Sequence, residues 1–160
     1  MIFFRSLLLA LMLVGCSSKS DTESENNNST AGTPEQQQSI ISAAENVVAL
    51  MDKNQMGAVW DLSGPMLRNR TSKTTFVTGI FVLRSPLGSP GERKVAGFNF
   101  SNKLEGFTGD FGMIFITTDF ENAKEVEEQF VFQKIDGKWK IIGYFISKTY
   151  TIIKPVNTPN

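Results

Sequence analysis

The sequence predicts an α+β fold: helices first, then a curved, mostly antiparallel, four-stranded sheet whose inner face the helices cover. Three observations carry this. Apolar residues recur at helical spacing up to about Leu87, β-leaning runs replace them beyond Pro90, and Asp136-Gly137 separates two alternating runs as a hairpin turn would. A chain of 160 residues has room for one such domain once its ends are set aside.

In "SIISAAENVVALMDKNQMGAVWDLSG", Ile40, Ala44, Val47 or Val48 and Met51 share a helical face, and Gly64-Pro65 breaks the pattern. A later helix fits "SKTTFVTGIFVLRSPLG". There Ser72 is a natural N-cap, Phe76, Ile80, Leu83 and Leu87 form the apolar stripe, and Ser85-Pro86 ends it. The strands follow as "RKVAGFNFSNKL", "DFGMIFITTDF", "KEVEEQFVFQKI" and "KWKIIGYFISKTYTI".

Ahead of this domain the chain changes character twice. Residues 17–38, "SSKSDTESENNNSTAGTPEQQQ", offer almost no apolar side chain, so burial cannot offset their ordering entropy. They are expected to form a flexible leash reaching roughly 25 Å on average. Before them, Arg5 and the apolar run Ser6 to Val14 have the form of a signal peptide, too short for the ~20 residues that span a bilayer. Leu13-Val14-Gly15-Cys16 resembles the bacterial lipobox. That resemblance implies cleavage after Gly15 and a diacylglyceryl group on Cys16; each buried methylene contributes about 0.8 kcal/mol, so two or more chains anchor stably. The expected division is therefore 1–15 signal peptide, 16–38 lipidated Cys16 and linker, and 39–160 the domain. The location expected from it is the bacterial cell envelope, lipid-anchored. Ser17 after the cysteine, again by resemblance, implies the outer membrane facing the periplasm.

Composition narrows the chemistry. Lysine plus arginine and aspartate plus glutamate are 16 each, which argues against a nucleic-acid partner. With no histidine and a single cysteine, the His-dependent triads, the commonest metal ligand and an internal disulfide are all missing. No catalytic residue, metal site or cofactor is expected. Gly106 to Gly112 has the wrong glycine spacing for a phosphate loop and no lysine. The basic run Arg68 to Lys73 suits a solvated loop, with contact to anionic lipid as its alternative.

Arg84-x-Pro86-Leu87-Gly88, a later arginine at Arg93, "FGMIFITTDFENAKEVEEQF" and Asp136-Gly137-x-Trp139-x-x-x-Gly143-Tyr144 together resemble the bacterial envelope family known as domain of unknown function 4019. The likeness covers about residues 42 to 147. It implies a cone similar to the cystatin-like and NTF2-like folds, in which a curved sheet wraps a long helix, and it implies no activity.

Two sets of residues stand out as candidate sites. Strand alternation turns Glu128 to the same face as Val126, Phe130 and Phe132, towards the helices. An isolated carboxylate there would suffer a large desolvation cost, so it should be neutral or paired. Arg84, four residues after Ile80, and Arg93 are the candidate partners. This group is either an ion pair locking helix to sheet or the polar floor of a small pocket. On the last strand, alternation puts Trp139, Ile141, Gly143 and Phe145 inside, leaving Ile142, Tyr144 and Ile146 outside among lysines as a candidate partner face. The expected function is a non-enzymatic interaction module, docking a second copy or an envelope protein. A small-ligand module with Arg84 and Glu128 in its pocket is the alternative. An enzyme using Tyr144, Asp61 or Asp119 is the remotest reading.

Overall fold

The computed structural model describes residues 30–147; Gly15, Cys16 and the tail from Lys148 lie outside the described residues. Helices α1 (Pro34–Asp52), α2 (Met56–Asp61), α3 (Pro65–Arg70) and α4 (Lys73–Arg84), with a 3-10 turn at Ser85–Leu87, precede strands β1 (Pro90–Leu104), β2 (Phe107–Phe120), β3 (Val126–Ile135) and β4 (Lys138–Ser147). The strands run in the order β1-β2-β3-β4, each antiparallel to the next. The chain is thus α+β, with a curved, open, four-stranded antiparallel sheet.

Order begins earlier than composition implies. Thr30 pairs with Phe100 of β1 through two backbone hydrogen bonds of 2.9 and 2.7 Å. Thr33 and Gln36 form a reciprocal capping box, and Pro34 stands in the first turn of α1. The linker therefore gives way to structure before residue 39. Its last turn, Glu35 to Gln38, is polar because it faces outward, and burial of the later turns carries the helix back to its cap. The basic stretch expected to be a loop is mostly helix: Arg68 and Arg70 occupy the last turn of α3, and Lys73 opens α4.

The helices lay one apolar face on the sheet. Ile40, Ala44, Val47, Val48 and Met51 of α1 join Val59, Phe76 and Ile80 against Phe100, Ile114, Phe130, Phe132 and Ile141. Gly112 permits the close approach, since a Cβ there would lie 2.6 Å from Ile40 Cδ1. Two-residue turns close both outer hairpins, with positive φ at Glu105-Gly106 and at Asp136-Gly137, the geometry that matches strand twist. The outer face has its own small cluster, in which Phe111, Val131 and Ile142 pack with Met66, Leu104 and Met113.

Two side-chain expectations fail. On α4 the inward row is Phe76, Ile80 and Arg84, at steps of four, and Leu83 is 48% exposed. On β4 the alternation breaks. Val131 pairs with Gly143 but Phe132 with Ile141, so Ile142 is an extra residue, a β-bulge. The Gly64 N–H donates to the Ile141 carbonyl at the same point, 2.9 Å away. Past the bulge every side chain changes face. Tyr144 and Ile146 pack against the inner cluster, Ile142 is buried on the outer one, and Phe145 is exposed outside. The candidate partner face of Ile142, Tyr144 and Ile146 therefore does not exist as a surface.

Candidate functional site

The polar cluster under the helices is assembled from six elements. Glu128 of β3 is fully buried. Its Oε1 accepts from Arg84 Nη1 and, at 2.6 Å, from the Tyr144 hydroxyl, and its Oε2 accepts from Thr118 Oγ1 at 2.6 Å. Arg84 Nη1 also lies 3.1 Å from the Tyr144 oxygen, and Nη2 donates to Asp52 Oδ1 at 2.8 Å. Arg93 of β1 grips Asp52 from the other side, Nη1 on Oδ2 and Nη2 on Oδ1, both at 2.8 Å. Its Nε stands 3.8 Å from Glu128 Oε2 and is a buried donor without a hydrogen-bond acceptor. Two guanidinium groups thus face two carboxylates, and the cluster is neutral as a whole.

Local sequence explains each placement. Arg84 closes α4, where a cation also complements the helix dipole, and its guanidinium lies over the Phe120 ring at 5.2 Å. Asp52 ends α1, four residues beyond Val48 and at the margin of the buried face. Thr118 continues the inward row of Ile114 and Ile116 on β2. Burial works against the charge on Arg84, but Tyr144, Glu128 and Asp52 outweigh it and hold its pKa above the ordinary value. Burial first, and the Glu128 carboxylate second, push the Tyr144 phenol far above its usual range despite Arg84. Tyr144 is therefore a fixed proton donor to Glu128 at any physiological pH.

The structure brings Glu128, Arg84 and Arg93 together, and adds Asp52, Thr118 and Tyr144, which sequence reasoning did not assign to the cluster. Asp52 and Thr118 were readable as continuations of buried rows; Tyr144 was hidden by the bulge. Asp61, one of the acid–base candidates, is instead 2.8 Å from Lys73 on the surface, and Asp119 caps the Glu125 N–H at 3.0 Å. Chemically the cluster is a clamp. Both Glu128 oxygens are engaged by protein donors, and the two charged groups of the predicted pocket are bonded to each other.

Open grooves border the clamp. One of about 400 Å³ runs between α1 and β1, with Ile114 and Ile116 as its floor, Val95 on one wall, and Glu45 and the Asp52–Arg93 pair along its rim. Another, of about 290 Å³, lies between the ends of α1 and α4 and is lined by Met51, Asp52, Phe81, Arg84 and Glu121.

A family model described as protein of unknown function (DUF4019) matches residues 43–144, well over half of the chain. The chain belongs to this family. The matched span opens within α1, closes at Tyr144 and so contains every member of the clamp. No curated protein and no solved structure matches the chain.

Proposed function

We propose that this DUF4019 protein is a non-enzymatic interaction module of the bacterial envelope, lipid-anchored through Cys16 at the outer membrane and facing the periplasm. The anchor reading rests on the lipobox-like Leu13 to Cys16. The interaction reading rests on one observation: Phe81, Val82 and Leu83, consecutive on α4, are 58%, 63% and 48% exposed. A solvated helix turn normally carries charge, and three exposed bulky apolar side chains around the last turn of α4 mark a place of contact. This turn takes the place of the face expected on β4. The clamp's role in this reading is to fix α4 on the sheet so that the surface is presented rigidly.

The test is a light-activated cross-linker at Phe81 in intact envelopes, with the mature N-terminus analysed by mass. A cross-linked product that Leu83→Glu abolishes, on a protein acylated at Cys16, is the expected result. An unmodified thiol on freely soluble protein removes the anchor, and no product at Phe81 removes the docking face.

The groove between α1 and β1 favours a second reading, a module for a small apolar ligand. Its volume and its aliphatic floor support that, with Glu45, Asp52 and Arg93 rather than Arg84 and Glu128 as its polar contacts.

A further inference from the structure

The groove between α1 and β1 borders an open sheet edge. β1 stands first in the sheet, so β2 pairs only one of its sides. On the other side Phe100 exchanges two backbone hydrogen bonds with Thr30, and the edge already receives an extended residue there. In an antiparallel ladder alternate residues turn their backbone groups to the same side, so Phe98 also faces outward. The irregularity between Val95 and Gly97 shifts the alternation by one and turns Val95 and Arg93 outward in their turn. No described residue bonds these outward backbone groups from Arg93 to Phe98. An unpaired edge beside an aliphatic groove is the geometry of strand addition, with main-chain bonds along the edge and alternate side chains in the groove. The groove has Ile114 and Ile116 as its floor and Val95 on one wall. Glu45 on its rim is exposed and in no ion pair with a described residue.

The chain itself carries a segment of matching chemistry. Residues 148–154 read Lys-Thr-Tyr-Thr-Ile-Ile-Lys, strand-forming from Thr149 to Ile153, and Pro155, with no N–H to donate, would end the pairing. When extended, Lys148, Tyr150, Ile152 and Lys154 share one side, two apolar groups flanked by two cations. That order is complementary to an aliphatic floor with an acidic rim. The segment cannot serve its own edge. Ser147, Glu127, Thr117 and Lys94 form one cross-strand row, which puts Ser147 about 14 Å from β1 and about 19 Å from a strand laid beyond it. The three steps from Ser147 to Tyr150 extend about 11 Å at most. We propose that residues 149–153 of a second copy add as a strand to the β1 edge between Arg93 and Phe98, with Tyr150 and Ile152 in the groove and a flanking lysine at Glu45. This takes the groove of the second reading, gives it a peptide as occupant, and does not depend on α4.

A benzophenone side chain in place of Tyr150 tests the pairing, in a mixture of unlabelled and isotope-labelled full-length chain. Photo-adducts are expected to join labelled to unlabelled peptides and to map to residues 41–52 or 93–98. Ile152→Glu in the segment and Glu45→Lys on the exposed side of α1 should each cut them about fivefold or more. Adducts confined within one chain would overturn the second copy as donor, and adducts spread evenly over the sheet would mean random collision and overturn the pairing. Adducts unchanged by Ile152→Glu would remove the segment from the groove. Absence of any adduct would overturn the proposal outright. Native mass spectrometry of the full-length chain separates that failure from the failure of the groove: a retained small apolar molecule without adducts keeps the second reading and excludes the peptide.

Discussion

Replacing Arg84 by methionine keeps the length and apolar stem of the side chain and deletes its charge. Glu128 would retain Tyr144 and Thr118 as donors but lose its direct counter-charge, with Arg93 Nε no nearer than 3.8 Å. Asp52 would keep both bonds from Arg93, so the damage is concentrated on one fully buried carboxylate. Breaking a buried pair from one side typically costs 3–5 kcal/mol. For a domain of this size that is a fall in Tm of about 10 °C or more. Urea unfolding followed by the fluorescence of Trp60 and Trp139 measures it. Arg84→Lys should lose less, because an ammonium can reach Glu128 but cannot also hold Asp52. The double variant Arg84→Met, Glu128→Leu should be less damaged than the sum of its singles by at least about 2 kcal/mol, since no unpaired charge remains. If Arg84→Met costs under about 1 kcal/mol, or the two changes are additive, the clamp does not lock helix to sheet. The pocket reading of these residues would then return.

Three further outcomes follow from the same structure. The Tyr144 phenol is held protonated in the folded protein, whereas in the unfolded chain it ionises near pH ~10. The unfolded state therefore binds fewer protons above that pH, and stability, complete below it, falls as pH rises; in Tyr144→Phe this slope, and the phenolate absorbance that appears only on unfolding, should vanish. Thr33→Ala removes the acceptor for the Gln36 N–H at 3.3 Å and is expected to cost about 1 kcal/mol in urea titration; no loss would mean that α1 effectively starts later. Gly112→Ala should cost about 1–3 kcal/mol, because Ile40 can rotate its terminal methyl away but the buried Phe100 ring, 3.0 Å from the added Cβ, must also shift, and Gly112→Val should cost more. A neutral valine there would show that α1 does not rest on β2 as described.

The clamp and the exposed helix face are linked through one residue. Arg84 is the last residue of α4 and follows directly on Phe81, Val82 and Leu83. Step-four spacing from Phe76 through Ile80 turns the charge inward, while Phe81, Val82 and Leu83 around the same turn stay exposed. A leucine at 84 would hold the helix by burial alone. An arginine bonded to both Glu128 and Asp52 fixes its position and rotation as well.

Much of this was determined by local sequence. The helical spacing of Ile40, Ala44 and Met51, the N-cap at Ser72, the turn at Asp136-Gly137 and the inward direction of Glu128 need only near neighbours in the chain, so they are readable without a fold. The start of α1 was misplaced because its polar first turn has the composition of a leash. What only the tertiary structure decided is which residues meet Glu128 and which face of β4 looks inward. A single bulged residue at Ile142 leaves no strong mark in composition, yet it moves Tyr144 from the surface to the clamp and Phe145 the other way. Strand alternation has period two, so one inserted residue inverts everything after it. The counter-charges come from residues 32 to 44 positions away in the chain, Arg84 for Asp52 and Arg84 for Glu128 at the extremes. Only packing brings such partners together.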